Sequence, residues 1–234
     1  MATPTALLAH PRLVMVDLDG TLVDSVPDLK HCLDIMWRQL AMKPHSEAVV
    51  RTWVGNGVER LVQRALTGSM EDIPESGLYS KALTLFSELY AVNTSIHSRV
   101  YDGVRPCLDW LTAQPDMTLV CITNKAARFT GPLLRNLGLL DYFSFVVAGD
   151  TLPQKKPDPA PLLYAARRCG VAPHHSLMVG DSVSDVKAAR AAGFAIACVS
   201  YGYNHGRDIR ETAPDVVIDS LAELPALLSS LPPH

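Results

Sequence analysis

From Val100 onward, short apolar runs recur at TLVCI (118–122), FVVAG (145–149), SLMVG (176–180), AIACV (195–199) and VVI (216–218). Stretches with helical spacing separate them, at roughly 104–113, 126–137, 159–169, 183–192 and 220–230. Runs this short and apolar throughout suit strands buried on both faces. Parallel strands cannot be joined by tight turns and need a crossover, most often a helix. The alternation therefore predicts βαβ units and a parallel sheet with helices on both faces, an α/β fold. One further run of the same kind, LVMVDL (13–18), stands far upstream of the others.

The gap between is helical. SVPDLKHCLDIMWRQLA opens with Ser25 and Asp28 in capping-box spacing and Pro27 in the first turn. Leu29, Cys32, Leu33, Met36 and Leu40 then recur at helical intervals. VERLVQRAL (58–66) and LYSKALTLFSELYAV (78–92) repeat the pattern, and nothing from about 25 to 95 reads as a strand. With 234 residues, 48% of them apolar and 19% charged, the chain can bury a sizeable core and is not disordered. A net charge of −3 without any basic stripe argues against a nucleic-acid partner. Five widely spaced cysteines with no CxxC pair predict free, mostly buried thiols and a reducing cytoplasm. MATPTALLAHPR has neither a basic n-region nor a long h-region, so it is expected to be a flexible leader without a secretory role. No stretch approaches the length of a membrane span. A cytoplasmic monomer or homodimer is expected.

In an open parallel sheet, ligands bind beyond the carboxyl ends of the strands. Asp17, Asp19, Gly20 and Thr21 follow the first strand, and Thr123, Asn124 and Lys125 follow the second. Asp150, Lys155 and Lys156 come after FVVAG, and Asp181, Ser182 and Asp185 after SLMVG. Carboxylates one residue apart repel each other, and burying either unpaired costs several kcal/mol, so such a pair calls for a cation or a proton to move. An oxygen-rich set without His or Cys suits Mg²⁺ rather than zinc. A carboxylate near a metal can attack phosphorus, and a neighbouring acid can protonate the leaving oxygen and later activate water. A hydroxyl and a lysine can hold the phosphoryl oxygens while charge redistributes.

DLDGT after the first strand, TN after the second, then KPDP and GDSVSD resemble the four motifs of the haloacid dehalogenase-like phosphohydrolases, in order and over essentially the whole chain. The resemblance implies a Rossmann-like parallel sheet core, residues 1–24 and 100–234, with an inserted helical cap at 25–99. It implies that Asp17 is the nucleophile and Asp19 the general acid/base, with Thr123 and Lys156 on the phosphoryl group. Asp181, with Asp17 and the Asp19 carbonyl, would hold Mg²⁺, and Asp185 would support the metal site or the lysine. DLDGTLVDSVPDL, WVGNGVERLVQRAL and SYGYNHG are further similar to bacterial phosphoglycolate phosphatases. The reaction so implied is hydrolysis of 2-phosphoglycolate to glycolate and phosphate through an aspartyl-phosphate. Alternatives are a phosphatase for another small sugar phosphate and a β-phosphoglucomutase-like phosphomutase.

Several of these residues have plainer uses. Thr123 and Asn124 could cap the helix near Ala126, and Asp185 could cap the one near Val183. Of the adjacent lysines, Lys-Pro spacing favours Lys156. Asp150 reads as a turn residue, Trp53 as a packing anchor and His205 as part of a loop. Gly55-Asn56-Gly57 could be a flexible helix–helix turn. Alternatively, it opens the helix at Val58 with free N–H groups aimed at a substrate carboxylate.

Overall fold

The computed structural model describes residues 11–229. The expected leader at 1–10 and the last residue of the 220–230 segment lie outside the described residues.

Six strands form one parallel sheet: β1 (Leu13–Val16), β4 (Thr118–Ile122), β5 (Phe145–Val147), β6 (Ser176–Gly180), β7 (Ala195–Val199) and β8 (Val216–Ile218), in the order β5-β4-β1-β6-β7-β8. β1 is central, paired with β4 from Leu13↔Thr118 to Val16↔Cys121 and with β6 from Leu13↔Ser176 to Val16↔Val179. Its four residues are all buried because each face is covered. Val14 and Val16 join Leu108 on α5 (Val104–Thr112) and Leu133 on α6 (Ala127–Asn136). Leu13 and Met15 point the other way, toward Leu162 on α7 (Ala160–Cys169) and Ala189 on α8 (Val183–Ala192). This is the period of two along a strand, and it explains why the run carries no polar residue. A short helix α9 (Leu224–Ser229) follows β8. Strand order reverses direction at β1, so the crevice beyond its carboxyl end lies between the ends of β4 and β6.

The chain leaves and re-enters the sheet unit through a two-stranded antiparallel ribbon, β2 (Val23–Asp24) and β3 (Arg99–Val100), paired Val23↔Val100 and Asp24↔Arg99. Between them lie α1 (Val26–Gln39), α2 (Glu47–Trp53), α3 (Val58–Thr67) and α4 (Ser76–Val92). These helices bury their own cluster around Trp37, Val62, Phe86 and Tyr90, which Phe129 and Tyr203 join from the sheet unit. Fully burying a side chain such as Phe86 contributes about 2 kcal/mol, so the insertion has its own core. Trp53 packs there, as a residue of that cluster.

Two local expectations are corrected, and the helical block gains one element. The added helix, α2, is only seven residues long and lies within the segment expected to be helical. The capping box at Ser25 and Asp28 does not form: Ser25 Oγ donates to Asp19, and buried Asp28 accepts from the backbone of His97 and Ser98. These distant donors reach Asp28 because the ribbon brings residues 97–98 beside the start of α1. Thr123 and Asn124 do not cap α6; Asp150 does, accepting from Ala127 N at 2.8 Å. All five cysteines are free, and four are buried. No helix among the described residues is long and apolar enough to cross a membrane.

Candidate active site

Asp17 directly continues β1. Its N–H donates to Val179 O at 2.9 Å, which extends the β1–β6 ladder by one residue and fixes the carboxylate at the sheet edge. Lys156 arrives from the loop after β5 and is buried. Its ammonium donates to Asp185 Oδ1 at 2.7 Å and to Ile122 O at 2.9 Å. It also lies 2.8 Å from Asp17 Oδ1. That contact is a close ion pair between a buried ammonium and a buried carboxylate. Asp185 is fully buried at the start of α8, and its Oδ2 accepts from Ser182 N and Ser182 Oγ at 3.1 and 2.7 Å. Asp185 therefore caps the helix and orients the lysine at once. Lys155 turns away, 3.6 Å from Glu59 Oε2.

Asp181 ends the β6 segment. Thr21 Oγ1 donates to its Oδ1 at 3.0 Å and Tyr203 N to its Oδ2 at 2.7 Å. Gly20 closes over it with φ +87°, where a Cβ would stand 2.4 Å from Asp181 Oδ2, so no side chain fits there. One carboxylate oxygen from each of Asp17, Asp181 and Asp185 lies within 4.8 Å of the others. Burial, opposed by Lys156 and reinforced by Asp185, pushes the Asp17 carboxyl up to about 7. Burial first, then Asp17 and Asp185, holds Asp181 well above the usual range. Burial works against the Lys156 ammonium too, but Asp17 and Asp185 outweigh it and raise its pKa. One lysine thus faces three buried carboxylates. This excess of buried negative charge and an all-oxygen donor set fit a hard divalent cation, which would restore the charge balance.

The Asp19 carboxylate faces away from that triad. Lys125 donates to both of its oxygens at 2.9 Å, and Ser25 Oγ donates to Oδ1. In the sequence, Lys125 stands out only by its place after β4. The signal that could have exposed its role is its position directly after the TN pair. It is buried, with its Nζ 4.9 Å from the centroid of the Tyr90 ring. Burial disfavours its charge, yet Asp19 and Tyr90 hold its pKa above the ordinary lysine value.

A cleft opens over these residues, lined on the sheet side by Asp17, Asp19, Thr123, Asn124 and Lys125. Gly55, Gly57 and the start of α3 form its other wall, while Asn56 is not among its lining residues. Asn124 ties the two walls together, with Nδ2 donating to Gly55 O at 3.0 Å and Lys156 O at 2.9 Å. Arg51 on α2 makes a two-pronged pair with Asp24 on the ribbon, at 2.9 and 3.1 Å. His205 sits outside the cleft, its Nδ1 2.9 Å from Thr52 O, so this loop residue contacts the helical insertion. Thus Asp17, Asp19, Thr123, Lys156, Asp181 and Asp185, spread through the sequence, meet at one end of the sheet.

Comparison with known proteins bears on this arrangement. A model of haloacid dehalogenase-like hydrolases matches residues 11–193. The chain is 58% identical over 223 residues to a protein from Nitrosococcus oceani named phosphoglycolate phosphatase, spanning 95% of this chain and 99% of that one. It is 50% identical over 225 residues to phosphoglycolate phosphatase 1 of Pseudomonas aeruginosa, covering 95% and 82%. A crystal structure of a predicted phosphoglycolate phosphatase from Haemophilus somnus superposes with a TM-score of 0.86 at 35% identity, covering 91% of this chain and 96% of that one. With four motifs gathered at one sheet edge and relatives of this closeness over nearly its full length, the chain belongs to the haloacid dehalogenase-like hydrolase family.

Proposed function

We propose that the protein is a Mg²⁺-dependent phosphatase that hydrolyses 2-phosphoglycolate to glycolate and phosphate. The observation that carries this reading is the pairing of Asp17 with Lys156 beside Asp181, while Asp19 lines the same cleft paired with a different lysine, Lys125. The names of its relatives point to the same substrate.

In this reading an Asp17 oxygen attacks phosphorus, and the bond from phosphorus to the ester oxygen breaks. Asp19 gives its proton to that leaving oxygen. It then takes a proton from the water that attacks the aspartyl-phosphate, which releases phosphate and restores Asp17. Lys156, held by Asp185 and Ile122 O, offsets charge on Asp17 and on the transferring group. Thr123 supports the phosphoryl oxygens from the end of β4. Asp17, Asp181 and the Asp19 carbonyl would hold Mg²⁺, with Asp185 set behind them because its Oδ1 meets the Lys156 ammonium and its Oδ2 accepts both donors of Ser182. A bound Mg²⁺ supplies the positive charge that lets a phosphate of about −1.5 to −2 approach buried carboxylates. Residues 25–99 serve as a cap that excludes water and shapes the cleft.

The test is a panel of small phosphoesters with Mg²⁺ and with EDTA, comparing kcat/KM. 2-Phosphoglycolate should lead the panel, glucose 1-phosphate should be poor, and EDTA should abolish turnover. Metal-independent hydrolysis or a sugar phosphate as the best substrate would overturn the reading.

A further inference from the structure

Charge around the cleft is unevenly distributed. Among the described residues that line it, Lys125 is the one cationic side chain. Lys156 lies behind it, engaged with Asp17 and Asp185. Much of the opposing wall is apolar, built from Leu29, Val54, Val58 and Leu61. Such a wall offers no partners for the several hydroxyls of a sugar, and leaving them unpaired costs binding energy.

Lys125 also has a defined place relative to the chemistry. Its ammonium bonds both oxygens of Asp19, the group assigned to the leaving oxygen. Whatever lies one carbon beyond that oxygen must lie close to the same ammonium. In 2-phosphoglycolate the group at that position is the carboxylate. The Gly57 end of α3 faces the same space from the cap side, adding N–H groups that favour an anion.

We infer that Lys125 binds the substrate carboxylate, and that the enzyme selects phosphate esters whose carboxylate is attached to the carbon bearing the ester oxygen. The inference rests on the phosphoglycolate reading and narrows it to a substrate class. Entry of the carboxylate gives Lys125 a second anion to bond. Asp19 is then free to turn one oxygen toward the leaving group. The Tyr90 ring beneath the ammonium and the enclosing apolar side chains keep water from replacing the carboxylate. Esters with the carboxylate farther along the chain would place it against the apolar wall instead.

The experiment compares 2-phosphoglycolate, 2-hydroxyethyl phosphate and the phosphate ester of 3-hydroxypropionate on the wild-type protein and on Lys125→Met, with Mg²⁺ throughout. The wild type should prefer 2-phosphoglycolate over both others. In Lys125→Met the ratio of kcat/KM between 2-phosphoglycolate and 2-hydroxyethyl phosphate should fall about 10- to 100-fold. That ratio does not depend on the fraction of protein that is folded. Wild type without any preference for 2-phosphoglycolate over 2-hydroxyethyl phosphate would overturn the functional reading itself. A preference undiminished in Lys125→Met would overturn the role of Lys125 alone. Should that variant yield no active protein, the wild-type series decides: equal turnover of the two carboxylic acids would overturn the inference.

Discussion

Without a divalent cation, raising the pH from about 5 to about 8 will destabilise the protein, because the carboxylate triad carries more charge than Lys156 can balance. Burial holds the Asp17 carboxyl at about 7, against an ordinary value of 3.8. Between those values the native state keeps a proton that the unfolded chain has lost, so unfolding free energy falls as pH rises. Below the lower value both states are protonated and above the upper one neither is, which confines the loss to that interval. For Asp17 alone the two units between pH 5 and that value correspond to roughly 3 kcal/mol, or a shift in Tm on the order of 5 to 10 °C. Asp181, also raised by burial and by its neighbours, acts in the same direction. Mg²⁺ binds ionised carboxylates, so its stabilisation should be small at the acid end and large at the alkaline end. The assay is thermal unfolding across this range in EDTA and in Mg²⁺ at constant ionic strength. Taking the difference in Tm removes carboxylates remote from the site. A difference that stays constant with pH, or one that shrinks as pH rises, would refute the electrostatic reasoning.

Asp185→Asn places an amide where one oxygen meets either Lys156 or the donors of Ser182, so unfolding free energy should fall by about 3 kcal/mol in denaturant melts, together with kcat; an unchanged melt would contradict the clamp. Gly57→Val puts a β-branched residue at φ +88°, with Cβ 3.1 Å from Glu59 Oε2 and 3.5 Å from Asn124 O. Its kcat/KM should fall much more on 2-phosphoglycolate than on a neutral aryl phosphate, and equal losses would remove the α3 terminus from recognition. Arg51→Ala breaks a partly exposed pair with Asp24, so stability should change by less than about 1 kcal/mol. KM for 2-phosphoglycolate should nonetheless rise; unaltered kinetics would mean that the pair does not hold the cap in place.

Much of this architecture was legible in the sequence, for a physical reason. Strands β1, β4, β6 and β7 are buried on both faces, so apart from Thr118 and Ser176 at their first positions their residues are apolar, and the polar residues that follow mark the sheet edge. The positions of Asp17, Thr123 and Asp181 at the sheet edge are legible for the same reason, whereas Lys156, nine residues beyond β5, stands out only by its Lys-Pro spacing and the KPDP resemblance. What escaped depended on contacts between segments far apart in the chain. The sequence places Lys125 beyond the end of β4 but not its partner, because Asp19 reaches it only where the ends of β1 and β4 are adjacent. Asp28 matches a capping box locally, but backbone donors near residue 98 claim both its oxygens. Asp150 caps α6 from across a loop, a pairing that no local spacing encodes. The short helix α2 and the two-residue strands β2 and β3 are too brief to show a period, though they carry the junction between sheet and insertion.

In the proposed mechanism Asp17 is the nucleophile that takes the phosphoryl group. Phosphate release from 2-phosphoglycolate by wild-type protein and by Asp17→Asn, with saturating Mg²⁺, tests it most directly. Asparagine keeps the size of the side chain and removes the nucleophilic charge, so a folded Asp17→Asn protein should lose at least about 10³-fold in kcat. A variant within about tenfold of wild type would contradict the account, since a mechanism without Asp17 would then suffice.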